Sequence, residues 1–349
     1  MPMLRELLGS ELSLIQAPMA GVQGSRLALA VCAAGGVGSL PAAMLSPEVL
    51  AAELTVLRDQ AAGPWNVNFF CHQPPAADAA REAAWKAKLA PYYAELGLDV
   101  AALPAGAGRQ PFSPEIAEAL EAFRPPVVSF HFGLPAPALL ARVKGWGSKV
   151  LSSATTVEEA RWLAERSADA VIAQGLEAGG HRGHFLDHDL SLQRGLFSLL
   201  PRIVDAVQLP VIAAGGIADE RGVRAAMALG AAGVQLGSAF LLCPEADTSA
   251  IHRAALKSPA AAHTVLTNVF TGRPARAIVN RLVSEQGPLG EAPAFPLATA
   301  FSAPLRAAAE AAGRGDFSPM WAGQNVTAAG EAGAAALVRR LAPECCGAG

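Results

Sequence analysis

The sequence predicts an α/β protein, a closed (β/α)8 TIM barrel carrying a smaller C-terminal subdomain or lid. Three observations point there. Eight short apolar runs alternate with helical stretches between residues 12 and 238, the signature of a parallel α/β architecture. The runs are rich in apolar residues with little polar alternation, as strands covered on both faces require. Several end abruptly in Gly or Pro, and loops at the carboxyl ends of such strands are where these folds carry reactive groups.

The expected strands centre on LSLIQAP (12–18), GGVGSL (35–40), WNVNFF (65–70), VVSFHF (127–132), KVLSSA (149–154), AVIAQG (170–175), PVIAAGG (210–216) and GVQLGS (233–238). The helices between the later strands are marked by their caps. Thr156 with Glu159 forms a capping-box pattern ahead of Val157, Ala160, Leu163 and Ala164, which share one helical face. Asp219 can cap the next helix, with Val223, Ala226 and Met227 on its apolar face and Gly230 to end it. The longest interruption, residues 73–114, is rich in Ala and Pro; it holds a helix near 79–94 and is expected to cover the barrel mouth. Past residue 243 no clear strand–helix alternation continues. The expected organisation is therefore a barrel over 1–243, a substrate-covering piece over 244–314, and a segment over 315–349 whose amphipathic stretch at 327–341 returns to the barrel.

Composition narrows the function classes. A chain of 349 residues with 52% hydrophobic content can bury a large core. A net charge of -3 offers no basic field for nucleic acid, and no apolar run is long enough to span a bilayer. The first residues lack the charged-then-apolar pattern of a secretory signal. Five cysteines are scattered, with only Cys345 and Cys346 adjacent, so neither a disulfide framework nor a metal spacing emerges and a cytoplasmic setting is expected. The histidines at 72, 188, 252 and 263 stand in no constellation and read as surface residues.

The chemistry concentrates in three stretches. Residues 171–184 read VIAQGLEAGGHRGH, a strand ending in Gln174, then Gly179 and Gly180, which permit close backbone approach, then His181. An imidazole there can exchange a proton near neutral pH. AAGGIAD presents Gly215 and Gly216 after the seventh strand, and VQLGSAF presents Gly237 and Ser238 after the eighth. Two glycine-bearing turns at consecutive strand ends offer backbone amides side by side, where barrels bind phosphate without Lys or Arg. GGVGSL is an incomplete dinucleotide fingerprint, because Pro41 stands where a third glycine belongs.

Taken in order, QAPMAGV, VNFF, VVSFHFGLP, AQGLEAGGHRG, AAGGIADERGV, GVQLGSAFL and TGRPARAIVN resemble the successive motifs of class I nitronate monooxygenases, formerly called 2-nitropropane dioxygenases. The resemblance implies FMN as cofactor. It places Ala17, Pro18 and Met19 by their backbone, and Asn68 and Gln174 by their amides, against the flavin ring. Gly179 and Gly180 would lie against the cofactor, and Gly215, Gly216, Gln235, Leu236, Gly237 and Ser238 around its phosphate. His181 corresponds to the catalytic base; His131, at the end of the fourth strand, points by its position toward the mouth, as a substrate contact or as a support behind the residues that touch substrate. The implied reaction is FMN-dependent oxidation of a nitronate, or of a nitroalkane deprotonated by His181, with dioxygen, to a carbonyl compound and nitrite. The central glycine–histidine loop is also similar to that of flavin-dependent enoyl-thioester and NAD(P)H:quinone reductases, so a reductase of the same fold stands as the alternative, and a catalytically silent flavin-binding protein as a third reading.

Overall fold

A computed structural model describes residues 3–102 and 109–345. Residues 103–108, within the interruption after the third strand, and Cys346 lie outside the described residues. All eight expected strands form: β1 (Leu14–Gln16), β2 (Gly38–Pro41), β3 (Trp65–Phe70), β4 (Val127–His131), β5 (Lys149–Ala154), β6 (Ala170–Gln174), β7 (Val211–Ala214) and β8 (Gly233–Leu236). Each pairs in parallel with its chain neighbour from β2 through β8, and β8 pairs with β1. A bridge from Ile15 to Val37, with Gln16 N donating to Val37 O at 2.9 Å, brings β1 against β2 and closes the barrel.

Strand alternation decides what faces inward. On β6, Val171 and Ala173 pack outward with Leu199, Leu200 and Ile203 of the helix Leu196–Ala206. Ala170 and Ile172 instead join Ile15, Val127, Leu151 and Ile212 in the barrel interior. On β3, Trp65, Val67 and Phe69 face the helices, which leaves Asn66, Asn68 and Phe70 inward. The lower barrel is thus plugged by aliphatic side chains, and the polar inward residues sit at the carboxyl ends.

The helix caps differ in one detail from the sequence pattern. Thr156 does cap its helix, accepting from Glu159 N at 3.2 Å, and Asp219 accepts from Gly222 N at 3.0 Å. Glu159 does not complete a capping box. Its carboxylate is buried, accepting from Thr155 N and Oγ1 at 2.7 and 2.8 Å and from Phe185 N at 2.6 Å. It therefore ties the helix start to the loop that follows β6, a tertiary partner that local spacing cannot reveal.

A second layer packs on the loop that follows β6. The helix Ala79–Glu95 puts Trp85, Leu89, Tyr92 and Tyr93 into one apolar cluster with Val269, Phe270, Leu282, Leu305 and Phe317. The stretch 244–314, in which the sequence offers no strand pattern, contains the strands Thr264–Thr267 and Ala275–Ile278. They form a small antiparallel sheet with Gly180–His181, pairing Ala275 with His181 and Arg276 with Gly180. The helix Ala334–Cys345 buries Leu337, Val338 and Leu341 in the apolar cluster shared with the helices Ser25–Cys32 and Glu220–Ala228. Among the described residues no helix is long and apolar enough to cross a membrane.

Candidate active site

One cavity opens at the carboxyl ends of the barrel strands. Ala17, Pro18, Met19, Asn68, His131, Gln174, Gly179, Gly180, His181, Gly215, Gly216, Gln235, Gly237 and Ser238 all line it. Leu236 does not. Alternation turns it to the helix side of β8, opposite Gln235, where it is 1% exposed within the apolar layer; only its carbonyl serves the mouth, accepting from Ala17 N at 2.7 Å.

The loop after β6 is held from both sides of its backbone. Gln174 donates from Nε2 to His181 O at 3.0 Å and accepts from Gly183 N at 2.8 Å, so its amide is committed to fixing the loop. His131 Nε2 bonds the same carbonyl at 3.1 Å, and because a carbonyl only accepts, that nitrogen carries the proton. Nδ1 of His131 is then left to accept from Ser153 Oγ at 2.9 Å. Beneath the loop, fully buried Arg182 donates to Gly175 O at 2.8 Å, Gln174 O at 2.9 Å and Gln193 Oε1 at 2.7 Å. His184 is also inside, accepting from Gln193 Nε2 at 3.1 Å.

These contacts aim the His181 ring. Its Nε2 meets Thr271 Oγ1 at 2.9 Å, while Nδ1 has no partner among the described residues. Phe295 and Trp321 each lie 5.3 Å away, centroid to centroid, with Phe132 and Phe70 at 6.2 and 6.3 Å. Burial among these rings pushes its pKa well below the usual 6.5, and the nearby positive charge of Arg109 pushes the same way. The imidazole is therefore neutral at physiological pH, with a lone pair able to accept a proton.

The turns after β7 and β8 carry unused donors. Gly215 and Gly216 adopt φ of 114° and 72°, the left-handed region that glycine tolerates. Among the described residues, the amides of Gly215, Gly216, Gly237 and Ser238 donate to no acceptor in the protein. Gln235 Oε1 is likewise buried without a partner among the described residues. The Ser238 hydroxyl accepts from Gly323 N at 2.8 Å, which leaves its own proton available.

Several cavity residues escape sequence reasoning. Trp321, Gly323, Asn325 and Val326 line it from the C-terminal segment. A β-carbon on Gly179 would sit 2.6 Å from Gly323 N, so this glycine is required by the chain's own close approach. Asn325 Nδ2 donates to Gly216 O at 2.9 Å and Gln324 N to Glu177 O at 2.9 Å, which locks the segment over both loops. The Gly and Asn of WAGQN are the one local signal, and nothing in spacing ties them to residue 179. Arg109 and Thr271 are likewise brought in by tertiary structure. His72 and His252, expected at the surface, are each 5% exposed, and His252 lines the cavity; the aromatic and apolar neighbours that bury them come from distant elements. His188 and His263 are exposed.

The buried imidazoles make acid lability an expected result. Burial lowers the pKa of His72 and His252 to about 4, of His131 to about 3 and of His184 to about 2. Below pH 6.5 the unfolded chain binds protons that the folded chain refuses, so stability is full above that pH and falls as pH drops toward these values. Each group costs up to about 1.4 kcal/mol per pH unit over that window. Urea unfolding at pH 7.5 and pH 5 should show a midpoint lower at pH 5; equal midpoints would mean that these rings are solvated.

The nitronate monooxygenase family model matches residues 1–344. A nitronate monooxygenase of Pseudomonas aeruginosa is 43% identical over 344 residues, covering 97% of each chain. One from Paraburkholderia phytofirmans is 40% identical, covering 98% of this chain and 94% of that protein. Among solved structures, a nitroalkane oxidase from Streptomyces ansochromogenes superposes with a TM-score of 0.90 at 41% identity, covering 98% of this chain and 97% of that one. FabK from Thermotoga maritima superposes with a TM-score of 0.72 at 25% identity, over 98% of this chain and 94% of that one.

Proposed function

The chain belongs to the nitronate monooxygenase family, and from that premise we propose that its cavity binds FMN and oxidises alkyl nitronates with dioxygen to carbonyl compounds and nitrite. The fit to FMN rests on unused polar atoms. Four adjacent free amides and the Ser238 hydroxyl suit a phosphate, which backbone donors hold without a cationic side chain. Gln235 Oε1 asks for a donor at the cavity wall, and Asn68, whose Nδ2 is engaged by Ser129 Oγ at 2.9 Å, presents its oxygen to the same space. Bound there, FMN supplies the redox centre between nitronate and dioxygen.

The chain's own residues do the rest. His181 holds a neutral imidazole over the cavity and takes the α-proton of a nitroalkane at Nδ1, while Thr271 steadies Nε2. Gln174 and His131 hold the backbone that carries it. Phe70, Phe295 and Trp321 exclude water around the reacting carbon. The reading of 244–314 as a substrate-covering piece is supported by Thr271 and Phe295, both of which touch the His181 ring. A cytoplasmic setting is supported by the free thiols of Cys32, Cys71 and Cys243.

The observation that carries the proposal is a neutral, firmly held His181 in the same cavity as a cradle of amides that donate to no acceptor among the described residues. The similarity of the glycine–histidine loop to that of flavin-dependent reductases keeps a nicotinamide-dependent reductase as the rival. Anaerobic mixing of the flavin-loaded protein with ethyl nitronate, NADH or NADPH separates them. Rapid loss of flavin absorbance with the nitronate and slow or no loss with the nicotinamides is the expected outcome; the reverse order identifies a reductase.

A further inference from the structure

We infer that Arg109 is the anion-holding residue of this cavity, its guanidinium fork binding the two oxygens of the nitronate; the inference rests on the nitronate reading above. Arg109 belongs to the insertion between β3 and β4. Its backbone is pinned at the barrel mouth, where its carbonyl bonds His72 Nε2 at 3.0 Å and Phe112 N donates to Phe70 O at 2.8 Å. The side chain lines the cavity, yet Nε and Nη1 are buried with no hydrogen-bond partner among the described residues.

Such a guanidinium is costly unless something answers it. Arginine does not give up its proton in a protein, so the charge stays and its donors demand acceptors. Among the described residues, no Asp or Glu lines the cavity. The ring of Phe295, 5.6 Å from Arg109 Cζ, offers a favourable π face but no hydrogen-bond acceptor. The missing partner is therefore an anion that enters the cavity.

Position decides which anion. The free amides of the phosphate cradle lie at the ends of β7 and β8, whereas Arg109 hangs from the β3–β4 side and shares Phe295 with His181, whose ring is 5.3 Å from that of Phe295. The anion it meets is thus at the base and not at the cradle. A nitronate carries its charge on two coplanar oxygens, which match the parallel donors of a guanidinium as a carboxylate does.

The test uses flavin-loaded parent, R109M and R109K proteins, with ethyl nitronate and nitroethane as substrates and sodium nitrite as a non-reacting anion that perturbs the flavin spectrum. Loss of a charge-assisted fork should raise KM for ethyl nitronate in R109M by about 10- to 100-fold with kcat changed less than about threefold. The nitrite dissociation constant should rise in parallel, KM for neutral nitroethane should move less than about threefold, and R109K should fall between parent and R109M. Equal KM increases for both substrates, or nitrite affinity unchanged in R109M, would overturn the assignment. Should R109M fail to fold, R109K decides: a nitrite affinity equal to that of the parent rejects the fork. Should the parent oxidise no nitronate, the proposed function falls, while the nitrite titration still decides the role of Arg109.

Discussion

His181→Asn should cut turnover of neutral nitroalkanes by about 10²- to 10⁴-fold, the usual worth of a placed general base, while preformed nitronates lose no more than about tenfold. The asparagine amide takes the place of the ring's δ atoms and falls short of Thr271, which bonds Nε2 of the parent ring at 2.9 Å, but the loop keeps its anchors on the His181 carbonyl from Gln174 and His131 while proton acceptance is lost. Because burial holds the parent imidazole well below its usual pKa, the nitroalkane rate should show no acidic limb near pH 6.5. Steady-state kinetics on both substrate forms, at matched flavin content, check this. Equal losses on both forms would make His181 a binding group only, and an unchanged nitroalkane rate would remove it from the reaction.

The second large effect is expected on the cofactor. Gly237→Val should purify folded but with most of its flavin lost. Gly237 has a φ of -112°, open to any residue, and an added β-carbon would meet Ala17 Cβ at 3.4 Å and Met19 Sδ at 3.7 Å, ordinary contacts. The protein therefore accommodates the first carbon, and the branched methyls project where the phosphate is proposed to sit. Gly216 is a poorer choice, since its φ of 72° strains any substitution whatever the ligand. Flavin content per chain, read beside the thermal unfolding midpoint, distinguishes the cases. A fully flavinated Gly237→Val protein contradicts the cradle, and a drop in stability without selective flavin loss makes Gly237 a packing residue.

The barrel was legible because its physics is local. A parallel strand buried on both faces must be nearly all apolar and must end in a turn, so each of the eight announced itself within a few residues. The same alternation turns Asn68, Gln174 and Gln235 toward the cavity and Leu236 away from it, whereas the family resemblance, which takes 235–238 as one continuous run, does not separate Leu236 from its neighbours. What stayed illegible depends on long-range partners. Gly179 needs Gly323, His181 leans on Thr271, and Glu159 leaves its own helix cap for Thr155 and Phe185. The small outer sheet is built from TVLT paired with ARAI, and ARAI in turn with the distant two-residue strand Gly180–His181, too short for any periodicity to register. A histidine also reads the same in sequence whether buried or exposed, so His72 and His252 could be placed only by the elements that enclose them.

The central claim is that this cavity, loaded with FMN, oxidises nitronates with dioxygen. The most direct measurement is nitrite and acetaldehyde formation together with dioxygen uptake when the flavin-loaded protein is given ethyl nitronate in air without any nicotinamide. Catalytic formation of both products, with dioxygen consumed, is expected at a rate far above that of free FMN. Product formation no faster than with free FMN, or only when NADH or NADPH is added, would contradict it.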